Sequence, residues 1–216
     1  MDFIDYRKLY QIQDEVLALV FAEDTEFYLT GGTCLNRFYF EKRYSDDLDL
    51  FTHFSDTYAY SVRAILDRIS AANYAVKRQV DAKDFIRVYV SKDDVVLQVD
   101  FVNDRVKRFG EIVCQKGFKI DNPLNILSNK ITAVLGRDNP KDIFDIYLIS
   151  QNTSFRWADI LAEAKEKTNF QKEDLLYRLD TFPVSLLKKL KTLDDQFLIN
   201  FESDFHEIIN DIKMSD

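Results

Sequence analysis

Two aspartates separated by one residue interrupt an apolar stretch in the first half of the chain. Asp47 and Asp49 flank a leucine, and Leu50 and Phe51 follow. Because strand side chains alternate between two faces, both carboxylates are expected on the same side of one extended segment. Charges among buried neighbours need compensation, which a divalent cation commonly supplies. On its own, an Asp-x-Asp more often marks a solvated strand end or a turn.

A pair of glycines upstream strengthens the metal-binding interpretation. Residues 26–30 are typical of a strand, and Gly31, Gly32 and Thr33 come directly after it. Glycine allows tight turns and close approach of the backbone to a ligand, and the N–H groups of a turn that opens a helix suit phosphate. Most Gly-Gly pairs only make turns. The combination with the acidic segment, however, predicts a nucleoside triphosphate (NTP) held with Mg²⁺.

A third carboxylate lies on a later strand. Residues 85–90 and 95–101 alternate in polarity and predict a hairpin, with Asp100 on the polar side of its second strand. If that strand lies beside Asp47 and Asp49, the three carboxylates suit two metal ions about 3.5–4 Å apart. The alternative for Asp100 is a strand-end acid in water.

Composition indicates a folded chain of one large domain or a compact pair. It has 216 residues, 46% of them hydrophobic, including 18 Phe and 11 Tyr that can fill a core. The net charge of -8 argues against general DNA or RNA binding, although basic clusters at 77–78, 105–108 and 188–191 are either docking sites or solvated faces. Met1–Tyr6 lacks a signal-peptide pattern, and no apolar run approaches the ~18 residues of a membrane span. We therefore expect a cytoplasmic protein without membrane contact.

The cysteines and histidines do not form a zinc pattern. Cys34 and Cys114 lack metal-type spacing, and His53 and His206 are the only histidines. A disulfide stays possible, but two buried free thiols are the favoured state.

Helical periodicity predicts most of the remaining elements. Past Trp157 the amphipathic segments include no convincing strand. The predicted helices and the acidic strand are helix 6–22, helix 33–39, strand 48–52, a helix that contains 62–69, and helical segments at 160–164, 175–179, 186–193 and 197–212.

Two helices in between carry charged residues among apolar ones. The helix after Pro123 carries Lys130, and the helix that begins at Pro140 carries Asp142 and Asp145. The two aspartates share a face near the helix N-terminus, where the helix dipole favours carboxylates, so capping explains them without function. Their apolar neighbours nevertheless indicate a buried helix.

Three stretches together resemble the AbiEii/AbiGii-type nucleotidyltransferase toxins of bacterial abortive-infection and type IV toxin–antitoxin systems. These stretches are 31–35, 43–51 and 129–147, in this order. The first two are typical of the DNA polymerase β-like nucleotidyltransferase superfamily, and the third narrows the resemblance to this family. The resemblance implies an α+β fold, with a mixed β-sheet and flanking helices followed by a mostly helical C-terminal region. It places a catalytic core at 1–120 and a helical region that completes the active-site cleft at 121–216.

The resemblance also implies roles for individual residues. Gly31, Gly32 and Thr33 would bind the triphosphate, and Asp47 and Asp49 would ligate magnesium, with Asp100 as a less secure third ligand. Lys130 would contact phosphate or the base-side pocket. Asp142 would complete the active site, and Asp145 would support it.

These observations favour a Mg²⁺-dependent enzyme that moves a nucleoside monophosphate from an NTP to an acceptor hydroxyl and releases pyrophosphate. The acceptor (tRNA, protein or small molecule) and a cognate antitoxin stay open, as does the alternative of a catalytically silent module that binds nucleotide or antitoxin. A haloacid-dehalogenase-type phosphatase fits less well, because Phe51 stands where Thr or Val is needed. A glycosyltransferase would not need the glycine turn.

Overall fold

Seven strands form one mixed sheet in the computed structural model, which describes residues 4–215. Met1–Phe3, on which the signal-peptide prediction partly rests, lie outside the described residues, as does Asp216. The strands are β1 (Tyr28–Thr30), β2 (Asp47–His53), β3 (Ala75–Ala82), β4 (Phe85–Lys92), β5 (Val95–Asp104), β6 (Val113–Gln115) and β7 (Phe118–Ile120). Their order is β3-β4-β5-β2-β1-β7-β6. The β2–β5 and β1–β7 pairs are parallel, and the other neighbours are antiparallel.

The chain divides into two compact units, and the sheet belongs to the first. This unit comprises the residues up to Cys34, Ser45–Val106 and Ile112–Asp121. Its helices are α1 (Tyr6–Val20), α2 (Gly31–Cys34) and α3 (Tyr58–Ala71). The carboxylate of Asp5 caps the first backbone N–H groups of α1, and the inner residues of that helix are buried at its predicted spacing.

The second unit is mostly helical. It comprises Leu35–Tyr44, Lys107–Glu111 and the residues from Asn122 onward. A π-helical turn spans Leu35–Tyr39, short 3₁₀ helices span Val184–Lys189 and Asp195–Leu198, and the α-helices are α4 (Pro123–Val134), α5 (Pro140–Asn152), α6 (Trp157–Lys167), α7 (Lys172–Asp180) and α8 (Phe201–Met214). Asn122 and Asn139 cap α4 and α5 at the N-terminus, each followed by a proline at the first helical position. Across residues 4–215, helices long and apolar enough to cross a membrane are absent.

The mixed sheet with flanking helices confirms the predicted fold class, but several elements differ from their predictions. Strand β1 begins at Tyr28 rather than at residue 26, and the helix expected from Thr33 begins at Gly31. Strands β3, β6 and β7 were not predicted, because β3 and β6 are largely exposed edge strands without an apolar alternation. The segment 186–193 is a 3₁₀ turn followed by irregular chain.

The cysteine prediction is half right. Both thiols are free, and Cys34 is buried, but Cys114 is exposed because it lies on the edge strand β6.

Candidate functional site

The two faces of β2 differ in chemistry. Leu48 and Leu50 are fully buried on one face, whereas Asp47 and Asp49 are half-buried on the other. The leucines therefore anchor the strand in the core of the first unit and hold both carboxylates on the opposite side. Among residues 4–215, the Asp47 carboxylate takes part in no ion pair.

Strand register places a third carboxylate beside this pair. Strand β5 runs parallel to β2, with Asp100 opposite Asp49 and Gln98 opposite Asp47. Cross-strand partners point to the same face of a sheet. The structure thus brings Asp47, Asp49 and Asp100 together on one face, although Asp100 is buried and only 6% exposed.

An arginine on the next strand neutralises Asp100. Arg87 of β4 lies opposite Asp100, and its Nε and Nη2 atoms donate to the two carboxylate oxygens at 2.7 and 2.6 Å. Such fork-to-fork pairs are among the strongest hydrogen-bonded ion pairs in proteins. The hydrogen bonds from Arg87 to Asp100, together with the charge of Asp100, raise the pKa of the guanidinium. Asp100 is therefore not an acid in water; it is an internally paired carboxylate.

The paired glycines open a helical turn against the acidic strand. Gly31 has a φ of +70°, a conformation that glycine adopts at little cost. A β-carbon at this position would collide with the Oδ2 atom of Asp49. Close approach of the backbone to the acidic side chain therefore requires glycine here.

Thr33 holds the same turn to the start of β2. Its buried hydroxyl lies 2.8 Å from the Ser45 hydroxyl and donates to the main-chain carbonyl of Asp47. Gly32 is buried as well. The Thr33 hydroxyl therefore positions the acidic strand in this structure, and its predicted contact with a triphosphate stays a prediction.

Two of the three carboxylates on the polar face, those of Asp47 and Asp49, are suited to bind a hard cation such as Mg²⁺. Asp47 and Asp49 offer carboxylate oxygens, which are the ligands that Mg²⁺ prefers. Both oxygens of the third carboxylate, Asp100, are bound by Arg87. Consistent with this, residues 4–215 contain no group of three or more His, Cys, Asp or Glu side chains arranged as a metal site. The residues fit a magnesium ion held by Asp47 and Asp49, whereas both oxygens of Asp100 accept hydrogen bonds from Arg87 in this structure.

The three predicted residues of the second unit, Lys130, Asp142 and Asp145, form a network of buried ion pairs. The Nζ atom of Lys130 lies 2.8 Å from Asp142 and 2.8 Å from Asp145. Arg137 also binds Asp142, at 2.6 and 3.0 Å, and Arg43 binds Asp145 at 3.0 and 2.9 Å. Both aspartates are fully buried, and the Lys130 side chain is 13% exposed.

These contacts favour the charged forms of Lys130 and Asp145. Burial would lower the pKa of Lys130, but the carboxylates of Asp145 and Asp142 outweigh it, and the pKa is raised. Burial would likewise raise the pKa of Asp145, but Arg43 and Lys130 outweigh it, and the pKa is lowered. The Lys130 ammonium donates to two carboxylates, one of Asp142 and one of Asp145, and these contacts hold it in one orientation.

Three arginines in these networks were missed by the sequence reasoning. Arg87 lies in a predicted strand at alternating spacing, and only the register of β4 on β5 shows that it faces Asp100. Arg43 lies within the motif 43–51, so the motif itself was a signal that could have identified it. Arg137 follows the end of α4, where a basic residue is ordinary.

Comparison with a family model supports a nucleotidyltransferase. The model described as "Nucleotidyl transferase AbiEii toxin, Type IV TA system" matches residues 17–214. No curated protein matches the chain.

Solved structures share the fold at low sequence identity. JHP933 from Helicobacter pylori is 19% identical, with a TM-score of 0.65 over 98% of this chain and 90% of that one. MenT4, a nucleotidyltransferase toxin from Mycobacterium tuberculosis, is 13% identical, with a TM-score of 0.60 over 98% of this chain and 85% of that one. At these identities the structural likeness extends to the fold alone.

Proposed function

The chain belongs to the AbiEii family of nucleotidyltransferase toxins, and on this premise we propose that it transfers a nucleoside monophosphate from an NTP to an acceptor hydroxyl with release of pyrophosphate. One observation carries the proposal. Asp47 and Asp49 share the polar face of β2, and the glycine turn at Gly31 lies directly against Asp49. This arrangement supports a metal site at Asp47 and Asp49, beside a turn where a β-carbon on Gly31 would overlap Asp49.

The proposed reaction depends on Mg²⁺ held by Asp47 and Asp49. Bound magnesium would make the acceptor hydroxyl more acidic and offset negative charge on the phosphates. Leu48 and Leu50 fix the two aspartates in direction, and the Thr33 hydroxyl fixes the backbone of Asp47. These contacts preorganise the ligands, so little rearrangement is needed on binding.

Lys130 keeps its predicted role in this scheme, whereas Asp142 takes a different one. Lys130 offsets charge on phosphate, and its neighbours hold the ammonium in one orientation. We assign Asp142 and Asp145 to positioning of Lys130, because both carboxylates contact its Nζ atom directly.

Labelled NTPs test the proposal. The protein is incubated with each of the four labelled NTPs, Mg²⁺ and total tRNA, and both label transfer and pyrophosphate release are measured. A protein acceptor is tested in parallel by following label on the chain itself and on added cell protein. We expect turnover with at least one NTP, loss of it in Asp49→Asn, and retention in Asp67→Asn, which removes an equal charge from the exposed face of α3. Absence of transfer and of pyrophosphate release with every NTP and acceptor would contradict the proposal.

A catalytically silent binding module is the second candidate. The specific observation in its favour is the Arg87–Asp100 pair, because both oxygens of the predicted third metal ligand are bound by an arginine. Nucleotide binding without product, unchanged by Asp49→Asn, would favour this candidate. In either case the family implies a toxin, and we propose a cognate antitoxin as its protein partner.

A further inference from the structure

On the polar face of the sheet, Arg87 forms an ion pair with Asp100, which lies opposite Asp49 on the neighbouring strand. Asp49 and Asp100 are cross-strand partners, and like charges directly opposite each other destabilise a sheet. Arg87 provides the compensation from the far side of Asp100. The three side chains thus form one row across β4, β5 and β2, in the order Arg87, Asp100, Asp49.

Arg87 binds Asp100 in a way that competes with a metal. Its fork contacts both carboxylate oxygens, at 2.7 and 2.6 Å. The Asp100 side chain is 8% exposed, whereas that of Arg87 is 34% exposed. The Asp100 carboxylate is therefore shielded from solvent, whereas the Arg87 side chain is partly exposed. A guanidinium and a divalent cation cannot both neutralise the same buried carboxylate without repelling each other.

We propose that Arg87 competes with the metal ion for Asp100, so that a divalent cation held by Asp47 and Asp49 gains Asp100 as a third ligand only when the guanidinium leaves that carboxylate. The inference rests on the metal site of the proposed function. It adds a residue that sets the affinity of that site and that holds the polar face together when no metal is bound. Removing the Arg87 charge then strengthens metal binding, although it removes a stabilising ion pair from the metal-free protein.

Mn²⁺ binding measured by electron paramagnetic resonance tests this directly. Mn²⁺ is a probe with the same preference for carboxylate oxygen as Mg²⁺, and the nucleotide-free protein is used so that NTP does not bind the probe. We expect Arg87→Gln to bind Mn²⁺ at least about tenfold more tightly than the unmodified protein. Arg87→Lys should lie in between, since lysine lacks the bidentate fork.

Two control variants separate competition for Asp100 from a general effect of positive charge on Mn²⁺ affinity. Arg105→Gln removes the same charge from another ion pair of the first unit, the one with Asp84, and should leave Mn²⁺ affinity within about twofold of the unmodified protein. In an Asp100→Asn background, the further change Arg87→Gln should not increase the affinity for Mn²⁺. The competition predicts that the gain depends on Asp100, whereas a general charge effect would persist without it.

Thermal unfolding gives a second readout. Without metal, Arg87→Gln should unfold at a lower temperature than the unmodified protein. Mn²⁺ should raise the unfolding midpoint of Arg87→Gln by more than it raises that of the unmodified protein. If Arg87→Gln does not fold, Arg87→Lys carries the same comparison.

The inference is overturned if Arg87→Gln and Arg87→Lys bind Mn²⁺ no more tightly than the unmodified protein, or if the gain survives in the Asp100→Asn background. Either result, together with NTP turnover that depends on Asp49, leaves the proposed function standing. Loss of the proposed function itself would instead appear as absence of pyrophosphate release.

Discussion

Gly31 and Asp49 lie so close together that a β-carbon on Gly31 would overlap the Oδ2 atom of Asp49. The contact joins the turn after β1 to the polar face of β2, which are the two features that the sequence pattern singled out. Because Gly31 also has a positive φ, two separate physical costs oppose any other residue at this position.

Gly31→Ala should therefore destabilise the fold and move Asp49. The positive φ alone costs an alanine about 1–2 kcal/mol, and the overlap with the carboxylate adds to it. Gly117→Ala is the matched control, because Gly117 also has a positive φ but no atom within 4 Å of the added carbon. Urea unfolding should show a larger loss of unfolding free energy for Gly31→Ala than for Gly117→Ala. Equal losses would contradict the close approach of Gly31 to Asp49.

Thr33→Val removes the hydroxyl that joins the glycine turn to β2. The half-buried main-chain carbonyl of Asp47 loses this donor, which we expect to cost about 0.5–1.5 kcal/mol of unfolding free energy. Thr33→Ser keeps the hydroxyl and should retain most of the stability. Chemical denaturation of the three proteins checks this, and a valine variant as stable as the serine variant would show that the bond contributes little.

Arg43→Met breaks a fully buried ion pair. Asp145 then keeps only Lys130 as a cationic partner, and the loss should be about 3–5 kcal/mol, because an undercompensated charge stays buried. The ring of Phe144, 5.9 Å from the guanidinium carbon, loses its contact too. Arg156→Met, which breaks the exposed pair with Asp159, should leave the unfolding midpoint unchanged.

Lys130→Met should slow turnover strongly while the protein stays folded. Each carboxylate of the pair keeps an arginine, since Asp142 retains Arg137 and Asp145 retains Arg43. The proposed contact with phosphate predicts a fall in kcat of about 10²-fold or more. Lys165→Met, on the exposed side of α6, is the control for general charge. Normal turnover in a folded Lys130→Met protein would remove Lys130 from the proposed mechanism.

The unfolding free energy should fall in acid through Asp145. Its pKa is lowered in the folded state, so its contribution to stability is present above its ordinary pKa of about 3.9 and is lost as the pH falls through the lowered value. Lys130 acts in the opposite direction: its pKa is raised, so its contribution is lost only as the pH rises above about 10.4. Unfolding free energies measured between pH 2 and 7 should fall less steeply in Asp145→Asn. An unchanged slope would show that Asp145 is not the group responsible.

Local sequence pattern determined much of the architecture. The apolar period of α1, the alternation of β2 and β5, and the Asn-Pro starts of α4 and α5 each predict one element, because periodicity and capping depend on neighbours in sequence. The motifs at 31–35, 43–51 and 129–147 indicated the family for the same reason: each is a short contiguous stretch.

Only the tertiary structure decided how the charged residues are paired. Asp100 faces both Asp49 and Arg87 because β5 has a particular register on each neighbouring strand, and a shift of one residue would have turned it to the other face. Arg43 and Asp145 are far apart in sequence and meet through packing of the second unit. Such pairings depend on long-range contacts, and for this reason the sequence identified the carboxylates but not the arginines that neutralise them.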